Sequence, residues 1–180
     1  MLQSAQATLG GAVEAGGVTV AAGSAFDVPP VSDGVSLVET RAVSGAAADS
    51  LGVAGAFAVS AGGLDAIATV ADSAIADVAG TMTVRAATTT DVTTEALARA
   101  DGSGIGVGLG AAVSALDDDA TAQVVGGARV TGGVLSLRAH GLGVSRTEAE
   151  GGAGAGGAIA ALASTGDSRA VLGEGAPVTL

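Results

Sequence analysis

An internal repeat is the feature of this sequence that most restricts its fold. An anchor tripeptide, in which apolar, polar and apolar residues follow one another, occurs four times along the 180 residues. The anchors are Val18-Thr19-Val20, Met82-Thr83-Val84, Leu135-Ser136-Leu137 and Val178-Thr179-Leu180. Two further landmarks recur, a glutamate (Glu39, Glu95, Glu148) and the tetrapeptide AVSA at 58–61 and 112–115. This ordered series predicts a stack of similar units rather than a globular α/β domain.

The anchors divide the chain into three degenerate repeats of 43–64 residues. We assign 18–81, 82–134 and 135–177 to the repeats, 1–17 to the tail of a preceding repeat and 178–180 to the start of the next. The first repeat has 21 residues from anchor to glutamate against 13 in the others, and Pro29-Pro30 predicts a loop insertion of eight residues there. Neither end carries a polar cap, so we expect a longer protein or copies joined end to end.

Within each repeat the residue pattern has a period of two, as in a β-strand. From Met82 to Ala98 one face is small and mostly apolar and the other is polar. Its threonines suit a pleated surface because they are β-branched, and we expect their hydroxyls to face water. The segment GSGIGVGLGAAVSAL (102–116) has a glycine and alanine face, which fits a second sheet packed very close. Leu64–Gly80 also has helical spacing, although the corresponding segments of the other repeats favour strand.

The apolar content of the chain consists almost entirely of small side chains. The sequence is 48% hydrophobic but only 1% aromatic, and it contains 31 glycines. At roughly 25 cal/mol per Å² of buried apolar surface, such side chains stabilise a compact globule poorly. We therefore predict an all-β fold, a β-solenoid similar to a parallel β-helix, with thin stacked sheets.

Charge and composition exclude several classes of partner. Seven basic residues against eighteen acidic ones give a net charge of −11, without the basic stripe that nucleic-acid binding requires. The longest uncharged stretch, Gly151–Gly166, is shorter than the roughly 20 residues of a membrane-spanning helix. We expect neither nucleic acid nor membrane insertion.

Residues that could carry chemistry are few. The single histidine, His140, aligns with Ala87 of the preceding repeat, which favours an exposed strand residue over a catalytic base. Asp117, Asp118 and Asp119 are the candidate metal ligands, because carboxylates at a turn can bind calcium. The simpler interpretation is a solvated turn, and we expect no other cofactor. An ice-binding threonine array is disfavoured because Thr88–Thr90 align with Gly141–Gly143.

The segment TMTVRAATTTDVTTEALARADGSGIGVGLGAAVSALDDDATAQVVGGARVTGG (81–133) resembles the repeat unit of very large leukotoxin-type filamentous adhesins of Gram-negative bacteria. The shared order is a threonine-rich strand, TTEA, a GxGxGAA strip, an aspartate-rich turn and a final strand pair. The Pro-Pro loop and the short third repeat depart from that pattern. The resemblance implies an exported, surface-attached, β-helical stalk, and it supplies no catalytic residues.

From these observations we expect a structural and adhesive stalk segment of a secreted bacterial surface fibre, without enzymatic activity. Its partners would be neighbouring repeats or copies of itself, together with a cell-surface receptor that the sequence does not identify. The alternatives are a self-assembling extracellular filament or sheath subunit, and an ice-binding or calcium-binding β-solenoid. A polysaccharide-cleaving β-helix is disfavoured because the chain has no tyrosine or tryptophan.

Overall fold

The chain is an all-β protein whose strands run parallel to their neighbours. A computed structural model describes residues 2–23, 36–47, 51–101, 105–151 and 155–179, which contain eleven strands and no helix. The strands are β1 (Leu2–Leu9), β2 (Ala12–Ala15), β3 (Val18–Gly23), β4 (Ser36–Ala47), β5 (Leu51–Val70), β6 (Ile75–Asp101), β7 (Ile105–Val124), β8 (Arg129–Glu150), β9 (Ala155–Thr165), β10 (Ser168–Leu172) and β11 (Val178–Thr179). The all-β prediction is confirmed, and Leu64–Gly80 is strand on both sides of a turn, not a helix.

The strands belong to two sheets that alternate along the chain. Sheet A contains β1, β5, β7, β9 and β10, and sheet B contains β2, β3, β4, β6, β8 and β11. All the pairings between described strands are parallel. Parallel partners cannot be joined by a tight hairpin. Each strand therefore pairs with a strand one coil later, where a coil is one passage of the chain through both sheets.

The register between successive coils follows the sequence repeat over most of the chain. In sheet A, Leu51–Val70 pairs with Ile105–Val124 at a constant separation of 54 positions, which places the two AVSA segments side by side. In sheet B, Val18 pairs with Met82, and Met82 pairs with Leu135, as the anchors predicted. The similarity between the repeats is therefore a similarity between stacked neighbours.

The last anchor is out of register with the sequence alignment. Val178 pairs with Val130 rather than with Leu135, so partners in this coil are 48 positions apart instead of 43. The turns between β7 and β8 and between β10 and β11 set this register. The Gly173 N–H donates to the Val124 carbonyl at 2.8 Å. Val130 N–H in turn donates to the Pro177 carbonyl at 3.1 Å. The repeat boundaries themselves stay predictions.

The insertion in the first repeat is longer than the sequence alignment indicated. Strand β3 pairs with β6 at a separation of 64 positions, whereas β4 pairs with the same strand at 54. The first coil therefore holds ten additional residues between β3 and β4, not eight. As a result Arg41, not Glu39, pairs with Glu95. The Pro29-Pro30 segment lies outside the described residues.

Two clusters of buried side chains hold the sheets together. The first contains the larger side chains, among them Met82, Val84 and Val124. The second is made of alanine alone and lies between β5 and β7 on one side and β6 on the other. The inner face predicted for β6, from Met82 to Ala96, is buried at alternate positions. The core is therefore thick at one end of the strands and thin at the other.

The glycine face of β7 lies inside, at the thin end of the core. A Cβ atom added to Gly110 would lie 2.4 Å from the Glu150 carbonyl oxygen and 3.1 Å from the Ala96 carbonyl oxygen. One added to Gly106 would lie 2.6 Å from the Ala100 carbonyl oxygen. The two sheets thus approach too closely for side chains at these positions, which confirms the close packing expected from the glycine pattern.

Candidate functional site

The threonine strip of β6 is mostly internal. Thr88, Thr90 and Thr94 are buried, and the Thr94 hydroxyl forms a hydrogen bond with that of Ser60 on the facing sheet. One coil later the same arrangement recurs between Ser114 and Thr147. The expectation that the threonine hydroxyls face water is wrong for these residues. The hydroxyls of Thr90 and Thr94 bond to groups on the facing sheet, whereas the buried Thr88 hydroxyl has no hydrogen-bond partner among the described residues.

The aspartate run does not form a turn. Asp117, Asp118 and Asp119 lie within β7, where neighbouring side chains point to opposite faces of the sheet. Asp118 points into the core and is 5% exposed, while Asp117 is exposed and Asp119 half-buried. The three carboxylates therefore do not converge on one cation as the predicted calcium turn required. Among the described residues no group of three or more acidic, histidine or cysteine side chains could hold a metal ion.

The buried carboxylate of Asp118 crosses the core towards sheet B. Its Oδ1 accepts a hydrogen bond from the Thr90 hydroxyl at 2.9 Å, and its Oδ2 is buried with no hydrogen-bond partner among the described residues. Burial raises the pKa of Asp118 above its ordinary value of 3.8, and the like charges of Asp117 and Asp119 act in the same direction. Hydrogen bonds from Thr90 and the Leu64 backbone lower the pKa and oppose this shift.

The position of Asp118 explains a difference between repeats. Gly143 pairs with Thr90 in the register of sheet B. A Cβ atom at Gly143 would lie 3.0 Å from Asp118 Oδ2 and 2.7 Å from Leu116 Cδ2. Threonine in one coil binds the carboxylate, and glycine in the next leaves room for it. In the same register Thr88 pairs with Gly141, so the neighbouring coil has no threonine at that position.

The outward-facing acids are paired with nearby donors. Thr165 donates a hydrogen bond to Asp117 Oδ1 at 2.9 Å, and the Asp167 backbone N–H donates to Asp119 Oδ1 at 2.8 Å. Asp167 also forms an ion pair of 2.7 Å with Arg169. Asp65 pairs with Asp119 in the register of sheet A. These acids form a polar border directly after Ala61 on β5 and Ala115 on β7.

The outer face of sheet B is mixed: exposed Leu37, Val43 and Val144 lie among ion pairs and the single histidine. Arg41 forms an ion pair with Glu95 at 2.7 Å, and Arg146 forms one with Glu148 at 2.6 Å. His140 is exposed in β8 and pairs with Ala87, as predicted. A histidine that replaces an alanine of the neighbouring coil occupies an ordinary surface position.

Sheet A, in contrast, has an apolar outer surface that the sequence analysis missed. Exposed fractions are 63% for Val53, 67% for Phe57, 59% for Leu109 and 67% for Ile159. We name this surface the apolar face; its members, placed side by side by the register, are Leu51, Val53, Gly55, Phe57, Val59 and Ala61 on β5, Val107, Leu109, Ala111, Val113 and Ala115 on β7, and Gly157, Ile159, Ala161 and Ala163 on β9. None of these side chains is polar. The signal was present in the alternation at 102–116, where glycine inside leaves the branched residues outside.

The fold and this surface define the class of protein. It is an all-β protein with two facing sheets of parallel strands, a small-residue core and one apolar outer face. A scan against protein-family models, a search of curated proteins and a search of solved structures found no match. Within the described residues, no helix has the length and apolar character needed to cross a membrane.

Proposed function

We propose that this chain is a β-solenoid segment with a structural role, a stalk that lengthens by the addition of coils. The observation that carries the proposal is the pairing of β5 with β7 over twenty consecutive residues without a register shift. Each coil pairs through its backbone with the next coil in the same way as the previous coil pairs with it. Such a stack has no preferred length, which suits a spacer or fibre.

The interior supports a structural role over a catalytic one. Alanine, glycine and valine fill most of it, and buried hydroxyls bond in pairs across the core, Ser60 with Thr94 and Ser114 with Thr147. The pKa of buried Asp118 is raised, which is a feature of some catalytic acids. Its carboxylate is nevertheless directed at Thr90 inside the core, between the sheets. We therefore include the absence of catalysis in the proposal.

The setting that we propose is a secreted bacterial surface fibre with adhesive contacts. This part rests on the resemblance of residues 81–133 to the repeats of leukotoxin-type filamentous adhesins. The outer face of sheet B, which carries the ion pairs, and the apolar face of sheet A offer two chemically different surfaces for contacts with a receptor or with other fibres.

Insertion of additional coils tests the structural role. Residues 75–128 form one coil, which starts after one turn and ends with the next. We expect each copy inserted after Ala128 to lengthen the particle by about 4.8 Å along the stacking direction, so that ten copies add about 48 Å. Small-angle X-ray scattering measures this length, and circular dichroism should show unchanged strand content per residue.

The control for this experiment is an insert of the same composition in shuffled order. It should add an unstructured segment, with a lower strand content and no discrete increase in length. If the native inserts instead enlarge the particle in all directions, as for a compact globule, the stalk proposal is wrong.

A self-assembling filament subunit is the second candidate, and the edge strands favour it. Leu162 pairs with Ser114, and Leu172 pairs with Val124, so both belong to the inward-facing rows of sheet A. They are nevertheless 51% and 50% exposed. This edge accepts another coil, either from a continuation of the chain or from a second copy. Filaments in electron micrographs that are abolished by Leu162→Asp would select the second source.

A further inference from the structure

The apolar face has a pattern of large and small side chains that calls for an explanation. In the middle of the face, one row across the three strands contains Gly55, Leu109 and Gly157, and the next row contains Phe57, Ala111 and Ile159. A large residue in one row thus always has a small one beside it in the other row of the same strand. The face consists of three projections and three depressions.

The described residues of the single chain do not require the depressions. A Cβ atom at Gly55 would have no contact closer than the Leu109 carbonyl oxygen at 3.9 Å, and one at Gly157 would meet Leu109 Cδ2 at 3.5 Å. Both are ordinary distances, in contrast to the 2.4 Å at buried Gly110. Glycine in a strand costs stability relative to residues with side chains. Outer glycines that no described residue of the chain requires point to a requirement from outside this part of the chain.

We propose that the apolar face binds the same face of a second copy of this chain. The two-fold axis would run along the stacking direction of the coils, between the two central rows. This operation reverses the strand direction and places each coil opposite the equivalent coil of the partner. Residue 55 then faces residue 57 of the other copy, and the same holds in the other two strands.

Under this symmetry large residues meet small ones in the two central rows. Phe57 faces Gly55, Leu109 faces Ala111, and Ile159 faces Gly157. Towards the ends of the strands Val53 faces Val59, Val107 faces Val113, and Leu51 faces Ala61. No shift by one row gives this match, because it would place Phe57 opposite Phe57 or Leu109 opposite Leu109.

The area of the face fits a weak dimer. The apolar residues span ten steps on β5, eight on β7 and six on β9, which gives a flat area of about 380 Å² per copy. The two copies together therefore bury about 760 Å² before side-chain relief is counted, which falls in the small, transient class of interfaces below about 1,200 Å². We expect a dissociation constant in the micromolar range for this segment. Each further coil with the same pattern would enlarge the interface.

The acidic side chains on the outer surface of sheet A lie at the edge of the proposed contact, not within it. Asp65, Asp117 and Asp119 begin directly after the apolar rows, so they would form part of a solvated rim. The apolar face itself contains no charge that would be desolvated on pairing. The net charge of −11 makes two copies repel each other, and salt screens this repulsion.

Exchange of residues 55 and 57 tests both the contact and its symmetry. Gly55→Phe should weaken dimerisation at least tenfold in sedimentation velocity, because two phenylalanines would then oppose each other. Gly45→Phe is the matched control, since Gly45 is exposed on sheet B with the same 3.9 Å clearance, and it should leave the dissociation constant unchanged. The double variant Gly55→Phe/Phe57→Gly should restore wild-type affinity, and circular dichroism checks that every variant folds.

Three results would overturn the proposal. One is a wild-type chain that stays monomeric at high concentration, and another is a dimer that Gly55→Phe does not weaken. The third is a double variant as weak as the single one. Open-ended growth that is insensitive to these substitutions would assign association to the strand edges instead. The increase in particle length on coil insertion does not depend on this contact. The two proposals can therefore fail separately.

Discussion

Gly110 and Gly55 lie on neighbouring strands of sheet A but on opposite faces, and alanine should have opposite effects at the two positions. At Gly110 the new Cβ would lie 2.4 Å from the Glu150 carbonyl oxygen, whereas real Cβ contacts essentially never fall below 3.0 Å. The sheets must therefore separate by at least half an ångström at their closest point. Overpacking of a tight core costs about 1–3 kcal/mol.

At Gly55 the same methyl group meets nothing closer than 3.9 Å. Alanine there restricts the unfolded chain without straining the native one, which stabilises a protein by about 0.4–1 kcal/mol. The two variants should thus differ by about 1.5–4 kcal/mol in the free energy of unfolding, the sum of both effects. Urea denaturation at low protein concentration, where self-association does not contribute, measures the difference. A Gly110→Ala chain as stable as wild type would refute the close approach of the sheets.

Three further predictions concern the polar groups of the core. Because burial raises the folded-state pKa of Asp118, wild-type stability should fall as the pH rises from about 3.8 through that pKa, and Asp118→Asn should lack this decline in denaturation curves recorded across the acid range. Ser60→Ala should cost about 1–3 kcal/mol by leaving the buried Thr94 hydroxyl unpaired, and adding Thr94→Val should cost less than the sum of the single changes. Millimolar calcium should leave the melting temperature unchanged, since Asp117, Asp118 and Asp119 do not converge; a rise lost in Asp118→Ala would contradict this.

The period of two and the repeat were sufficient to predict the strands and most of their register. Alternation placed Met82 to Ala96 on the inner face of β6, and identical AVSA segments identified neighbouring positions on β5 and β7. Such inferences succeed because stacked coils place equivalent residues in equivalent surroundings. The last anchor failed because Val130-Thr131 and Leu135-Ser136 look alike, and only the hydrogen bonds of the turns distinguish them.

The candidate surfaces depended on knowing which face of each strand is inside. Periodicity separates two faces but does not orient them when one consists of glycine and the other of branched apolar residues. In β7 the sheets approach so closely that only the glycine face fits inside, and Leu109 therefore points outward. Alternation placed Thr88, Thr90 and Thr94 on the inner face, but the burial of Asp118 was missed, because polarity suggests exposure unless the partner on the facing sheet is known.

The direction of the hydrogen bonds between coils has a mechanical consequence. They run along the stacking direction, so a pull in that direction would load the row at the outermost coil first and open it bond by bond. A pull along the strands would instead shear the twenty paired residues of β5 and β7 together. One coil of 54 residues occupies about 4.8 Å in the stack and about 180 Å when extended. Under axial tension the molecule would therefore lengthen severalfold by releasing its end coils one at a time, while the coils behind them stay folded.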